Sequence, residues 1–96
     1  MENVTITRHG NEQAGEYRAH APGHAETGYL SWVQTGAIRA AEHTVVPPEL
    51  RGLGIAGHLV DALIADAKAQ GFRIRPVCSY VAAAFDKHPE WASLKA

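Results

Sequence analysis

The apolar residues change their spacing at Pro47-Pro48, and this change constrains the fold more than any other feature of the sequence. Before the two prolines, apolar and polar residues alternate in segments bounded by glycine or proline, which predicts β-strands. After them, an apolar residue recurs every four positions from Ile55 to Ala67, which is typical of a helix with one buried face. Neither proline can donate a hydrogen bond to a strand ladder, so the last strand of the first half ends here.

Four strands and then a mixed second half are predicted from these patterns. The strand segments are residues 4–8, 14–20, 27–34 and 37–46, and their short turns indicate an antiparallel meander. A long helix is predicted over 54–70, a short strand over 72–77 and a short helix over 79–87 that Ser79 can cap. We therefore predict an α+β fold, with a twisted, mostly antiparallel sheet of about five strands and the long helix on one face. The 72–77 strand should run parallel to the 37–46 strand, because a crossover helix joins them.

Composition excludes several classes of protein. A chain of 96 residues is sized for one domain, spanning 1–96, and its net charge of −1 argues against a strongly basic nucleic-acid-binding protein. The longest wholly apolar run, residues 81–85, is too short to cross a membrane. One cysteine excludes an internal disulfide and a cysteine-built zinc site. We expect no metal, no nucleic acid and no membrane partner, and, without a signal-peptide pattern, a cytoplasmic location.

A glycine-rich segment, residues 51–57, lies between the prolines and the predicted long helix. Its letters GLGIAG fit the G-x-G-x-x-G pattern of dinucleotide-binding proteins. That pattern needs a strand running directly into the glycines and an acidic residue about twenty positions later, whereas here residues 47–51 intervene and position 77 is valine. An NAD(P)-dependent oxidoreductase is therefore disfavoured. A purely structural role, with Gly57 allowing a strand to pack closely, is the other alternative, although three glycines so close together are costly in backbone entropy.

The same segment is suited to binding phosphate. Glycines let the backbone approach an anion, the free N–H groups at a helix start point toward it, and Arg51 adds positive charge. Arg51, Gly54 and Ala56 match in register the Arg/Gln-x-x-Gly-x-Gly/Ala motif. This segment resembles the acyl-CoA pyrophosphate motif of the GNAT superfamily of N-acetyltransferases.

The resemblance extends over most of the chain and is strongest to the small, single-domain members of that superfamily, the minimal acetyltransferase group. The matching residues are His43-Thr44, Pro48, 50–54, Pro76, Cys78 and 88–91. Two positions depart from the pattern: Val45 stands where the group commonly has an acidic residue, and Ser79 where it commonly has a proline. The resemblance implies transfer of an acetyl group to an amine, with acetyl-CoA as cosubstrate and no metal.

The predicted acetyl-CoA site follows from the glycine-rich segment, the end of the strand before it and the end of the last helix. Its residues are Val45, Val46, Arg51, Gly52, Leu53, Gly54, Ile55, Ala56, Lys87 and His88. For Lys87 and His88, a solvated helix end without a ligand is the alternative. Asp61, Asp66 and Lys68 are predicted to form a solvated face of the long helix.

Two residues are predicted to be catalytic. Acetyl transfer requires removal of a proton from the amine, donors for the oxyanion and stabilisation of the departing thiolate. Glu42 and His43 are strand neighbours that face opposite sides, so one can serve, and the resemblance favours His43 over its alternative role in hydrogen bonding within the sheet. Cys78 lies between a strand and a helix start, where a thiol pKa is lowered, and its alternative is a small buried residue. We favour direct transfer over an acetyl-Cys78 intermediate.

The acceptor is expected to bind in an open site. Larger members of the superfamily place helices between their first strands to shape an acceptor pocket, and the predicted turns here are too short to hold them. This favours a protein or peptide amine over an enclosed small molecule. The alternative function is a non-catalytic acyl-CoA-binding module.

Overall fold

A computed structural model describes residues 3–96 and shows an α+β fold, as predicted. The strands are β1 (Thr5–Gly10), β2 (Ala14–His20), β3 (Thr27–Thr35), β4 (Ile38–Val45) and β5 (Arg73–Pro76). The helices are α1 (Ile55–Gln70) and α2 (Ser79–Lys87), with short 3₁₀ helices at Pro48–Leu50 and Pro89–Leu94. Each predicted strand and helix is present. No helix in residues 3–96 is both long and apolar enough to cross a membrane.

The sheet has five strands in chain order, β1-β2-β3-β4-β5. The first four strands pair antiparallel and β5 runs parallel to β4, which confirms the predicted topology. Residues 38–41 of β4 pair with residues 73–76 of β5, and β4 then continues to Val45 paired with β3 alone. The ladder stops at Pro76, which has no N–H to donate. Around it the chain makes a tight turn, in which the Val77 N–H donates to the Arg75 carbonyl at 3.0 Å.

Only one face of the sheet is covered. The inward residues of the strands form a single apolar cluster with α1, α2 and the second 3₁₀ helix; its fully buried members include Tyr17, Leu30, Ile55, Leu59, Leu63, Ile74 and Val81. The pairing register places the alternate strand residues on the opposite face, and none of them is buried. We call this the open face; it includes Thr7, His9, Arg18, Tyr29, Ser31, Val33, Ile38, Ala40, His43, Arg73 and Arg75.

A β-bulge in β4 determines which side chains reach this open face. The β3–β4 register shifts between Ser31 and Trp32, and Glu42 is the extra residue. A bulge resets the alternation of side chains. Strict alternation would place His43 on the helix-covered face, but the shifted register places it on the open face and Thr44 on the helix-covered face.

Gly28 of β3 allows the start of α1 to lie directly on the sheet. A Cβ at Gly28 would be 2.7 Å from Ile55 Cγ2 and 3.2 Å from the Val45 carbonyl oxygen. The alternative interpretation in the sequence analysis gave this close-packing role to Gly57, and it is not supported, because a Cβ there would meet nothing within 4 Å. The glycine required for close packing lies in the sheet and not in the helix.

We expect Gly28→Ala to destabilise the protein, because its methyl group would overlap Ile55 and crowd β4. The free energy of unfolding, measured by urea denaturation, should fall by about 1–3 kcal/mol. Gly57→Ala is the matched control: the same methyl group enters open space inside a helix, and stability should rise by about 0.5–1 kcal/mol. A Gly28→Ala protein as stable as the parent would contradict the close packing of α1 on β3.

Candidate cofactor and catalytic site

The loop before α1 takes a shape that requires glycine. Gly52 and Gly54 have φ values of 85° and 74°, in the left-handed region that other residues adopt at a cost. A Cβ at either position would meet nothing within 4 Å, so the space above the loop is open. Gly54 is the N-cap of α1, without a side-chain capping hydrogen bond, and the first turn contains no acidic residue. This helix start therefore carries no carboxylate that would compensate its positive dipole end.

The first backbone N–H groups of α1 are free. The first bond of the helix is from the His58 N–H to the Gly54 carbonyl at 3.1 Å, so the N–H groups of Ile55, Ala56 and Gly57 have no acceptor within the helix. Arg51 is exposed and, within the part of the chain that the structure describes, its side chain makes no hydrogen bond or salt bridge. Together these groups can bind an anion such as a pyrophosphate.

Most of the predicted cofactor-binding residues line two adjoining clefts. The first, about 240 Å³, is lined by Val46, Leu50, Arg51, Gly52, Gly54, Ile55, Ala56, Gly57 and Tyr80. The second, about 130 Å³, lies between α1 and α2 and includes Lys87, His88, Asp61 and Trp91, and it shares Gly57 and Tyr80 with the first. Two predicted residues lie outside both clefts: Leu53 packs against the apolar core, and Val45 is exposed at the end of β4.

Tyr80 was missed by the sequence analysis. Its side chain is 45% exposed in the first turn of α2, between the two clefts. An exposed aromatic residue at a helix start gives no distinctive pattern, because its position depends on how α2 packs beside α1. His88 is held on the wall of the second cleft: its Nδ1 lies 2.8 Å from a Glu90 oxygen, and its ring stacks on Trp91 at 4.0 Å.

Cys78 is the N-cap of α2, and Ser79, predicted as the cap, is instead the first helical residue. The Cys78 thiol donates to the Thr44 hydroxyl oxygen at 3.4 Å. Burial raises the pKa of this thiol. After the thiol proton is lost, the thiolate can accept hydrogen bonds from the Thr44 hydroxyl and from the N–H groups of Val81 and Tyr80, and these bonds outweigh burial and lower the pKa below its ordinary value. The direction agrees with the prediction for a thiol at a helix start.

His43 and Cys78 lie at the same point along the gap between β4 and β5, but on opposite faces of the sheet. The Cys78 N–H donates to the Ala41 carbonyl at 2.8 Å, where the two strands part, and its thiol contacts Thr44. His43, the residue before Thr44, is exposed on the open face. In residues 3–96 its ring makes no hydrogen bond, so the alternative of a histidine bonded within the sheet is not supported. The sequence analysis names Thr44 only as part of the matching His-Thr pair and gives it no role at the site.

The last two strands of a mostly antiparallel sheet part beside a glycine-rich helix start, which places a potential anion-binding site next to a gap in the sheet. A family model described as GCN5-related N-acetyltransferase matches residues 16–94. The chain belongs to this family, whose members use acetyl-CoA as cosubstrate for acetyl transfer. The resemblance found in the sequence is thereby confirmed. Over residues 3–96, no three His, Cys, Asp or Glu side chains lie close enough together to hold a metal ion.

Thr44→Val should raise the pKa of Cys78, because it removes the hydroxyl that stabilises the thiolate. The pH midpoint of iodoacetamide alkylation should move up by about one unit, since a hydrogen bond to a charged group contributes about 1.5 kcal/mol or more. Cys78 is the sole cysteine, so the labelling reports this thiol alone. Thr35→Val, an equivalent change at an exposed position in β3, is the control. Equal pH midpoints of alkylation in the two variants would show that Thr44 does not lower the pKa of the Cys78 thiol.

Proposed function

We propose that the chain transfers the acetyl group of acetyl-CoA to an amine in the gap between β4 and β5. The observation that carries this proposal is the parting of the two strands beside a helix start with free N–H groups, in a member of an acetyltransferase family. The pyrophosphate would bind these N–H groups and Arg51. Lys87 and His88 would face the remaining phosphate, across the second cleft.

The acyl-bearing arm would bind along the free edge of β4. Beyond Ala41, β4 has no strand partner on its β5 side within the described chain, so residues 42–45 can offer main-chain N–H and carbonyl groups there. Hydrogen bonds to such an edge are the way an extended segment joins a sheet. The thioester would then lie where the strands part, near Cys78.

The acceptor amine would approach from the open face, because the other face is filled by the apolar core. His43 takes a proton from the amine, directly or through water, and the amine nitrogen attacks the thioester carbonyl carbon. The C–N bond forms, the C–S bond breaks, and the Cys78 thiol gives its proton to the departing CoA thiolate and regains one from solvent. The lowered pKa of Cys78 favours release of this proton. His43 as the base and Cys78 as the acid thus act at the thioester from opposite faces of the sheet.

We infer that the acceptor is an amine on a protein or peptide. No described helix covers the open face, so a lysine side chain or chain terminus on a large molecule could reach His43 without entering a pocket. The single free cysteine fits a reducing compartment, and we place the protein in the cytoplasm.

A non-catalytic acyl-CoA-binding module is the second candidate. It is favoured by Val45, an exposed apolar residue where members of the minimal group commonly have an acidic one. Such a module would keep the phosphate-binding loop and would have no need of Cys78 or His43 as proton carriers.

Acetyl-CoA should bind and raise the melting temperature, whereas NADP should not. At a concentration about 100-fold above its Kd, a ligand adds about 2.7 kcal/mol to stability. Arg51→Gln should weaken acetyl-CoA binding about tenfold in isothermal titration, because it removes the positive charge beside the loop. Arg73→Gln, which changes another exposed arginine that lies on the open face, is the matched control and should leave affinity unchanged. Equal stabilisation by NADP, or none by acetyl-CoA, would reject the proposed cofactor.

His43→Gln should lower kcat/KM for acetylation of a lysine-containing peptide by about 10²–10⁴-fold, the usual contribution of a general base. His9→Gln replaces another exposed histidine on the same face and should retain activity. Product is measured as acetylated peptide by mass spectrometry. Full activity of the double variant His43→Gln, Cys78→Ala would remove both residues from the mechanism, and a wild-type protein that binds acetyl-CoA but acetylates no amine would favour the binding module.

Mixing the protein with acetyl-CoA without an acceptor distinguishes the two routes of transfer. Direct transfer predicts no stoichiometric acetyl group on Cys78 in the intact-mass spectrum. An acetyl-Cys78 species that forms rapidly and is discharged by added amine would replace direct transfer with a covalent intermediate.

A further inference from the structure

A third cleft, of about 420 Å³, lies at the other end of α1 from the phosphate-binding loop. Gln70, the last residue of α1, lines it, so it is about 24 Å along the helix from Gly54 at 1.5 Å per residue. The residues on which the following argument depends are Arg8, Tyr17, Trp32, Gln34, Arg39 and Asp66. None of them belongs to the proposed acetyl-CoA site.

A buried arginine forms one wall of this cleft. Arg39 is only 8% exposed, and its guanidinium lies between two aromatic rings, 3.6 Å from the centroid of Trp32 and 4.2 Å from that of Phe72. Its Nε donates to Gln34 Oε1 at 2.7 Å and its Nη1 to the Tyr17 hydroxyl at 2.8 Å. Stacking and hydrogen bonds therefore hold the cation in one orientation.

No carboxylate contacts this cation in residues 3–96. Asp66 is linked to Arg39 only through Tyr17, whose hydroxyl accepts from Arg39 and donates to Asp66 at 2.9 Å. Arg8 binds the same carboxylate with two hydrogen bonds of 2.9 and 3.0 Å. Burial raises the pKa of Asp66, but the hydrogen bonds from Arg8 and Tyr17 outweigh it and keep the pKa below its usual value. The prediction that Asp66 lies on a solvated helix face is therefore wrong, and its charge is already engaged by Arg8.

The third guanidinium nitrogen of Arg39, Nη2, is free. It makes no hydrogen bond within the described chain, and no fully buried side-chain nitrogen or oxygen there lacks a partner, so Nη2 is accessible. Arg39 lines the cleft, and we expect Nη2 to be reached from this space. Burying nine-tenths of a cation without an opposite charge in contact with it costs free energy of folding.

We propose that this cleft binds a small molecule through a carboxylate that pairs with Nη2 of Arg39. The cleft volume falls within the range of small-molecule sites. Arg8 and His9 also line the cleft, and Trp32 supplies an apolar wall. A singly charged carboxylate suits one free planar nitrogen better than a doubly charged phosphate does, because Asp66 and Glu12 also line the cleft.

Benzoate and its neutral counterpart benzamide test the proposal by amide chemical-shift titration of the ¹⁵N-labelled protein. Benzoate should give saturable shifts around Gln34 and Arg39, and benzamide should bind at least tenfold more weakly. Gln34→Glu places a carboxylate against the Arg39 Nε and supplies the missing counter-charge from within the protein, so benzoate affinity should fall at least tenfold. This variant keeps the arginine between its two rings, whereas a substitution of Arg39 itself could unfold the protein.

Gln13→Glu is the matched control, because it adds the same charge in the β1–β2 turn outside the cleft and should change benzoate affinity by less than twofold. Acetyl-CoA affinity should be the same in both variants, so the outcome is separate from the proposed function. Equal binding of benzoate and benzamide, shifts confined to other regions, no saturable shift, or undiminished affinity in Gln34→Glu would each overturn the proposal.

Discussion

The packing of α1 against one face of the sheet is the interaction on which both proposed sites depend. Fully buried Leu59 and Leu63 fix the helix over β2 and β3, and each buried leucine side chain contributes about 1.5–3 kcal/mol. Because the helix is fixed along its length, its N-terminus is held beside the end of β4 and its C-terminal turns beside Arg39. One apolar contact therefore positions an anion-binding loop and a buried cation at opposite ends of the molecule.

The gap between β4 and β5 has two separate causes. Pro76 ends the ladder from the β5 side, because it lacks an N–H, and the bulge at Glu42 changes the course of β4 on the other side. The first cause opens the edge of β4, and the second turns His43 outward and Thr44 toward Cys78. Neither feature alone would give a gap with a different chemical group on each face.

Local patterns in the sequence predict the strands, the helices and the phosphate-binding loop, because alternation, the four-residue repeat and the glycines are each carried by neighbouring residues. Features that depend on distant partners could not be predicted in this way. The bulge is set by the register of two strands together. Asp66 has the spacing of a solvated residue on α1, but its partners come from β1 and β2. Arg39 lies two residues before Ala41 in β4 and therefore faces the same, helix-covered side of the sheet. This alternation could have indicated that the cation is buried.

Gly28 sets how close the start of α1 lies to the sheet, and Ile55, the residue against which it packs, is also a wall of the 240 Å³ cleft. The size of the side chain at position 28 therefore determines how far Ile55, and with it one wall of the cleft, lies from the sheet. A larger residue there, accommodated by a compensating smaller one at position 55, would change the depth of the cleft without altering the glycine-rich loop. The shape of this anion-binding cleft would in this way be adjusted from β3, a strand with no residue in that loop.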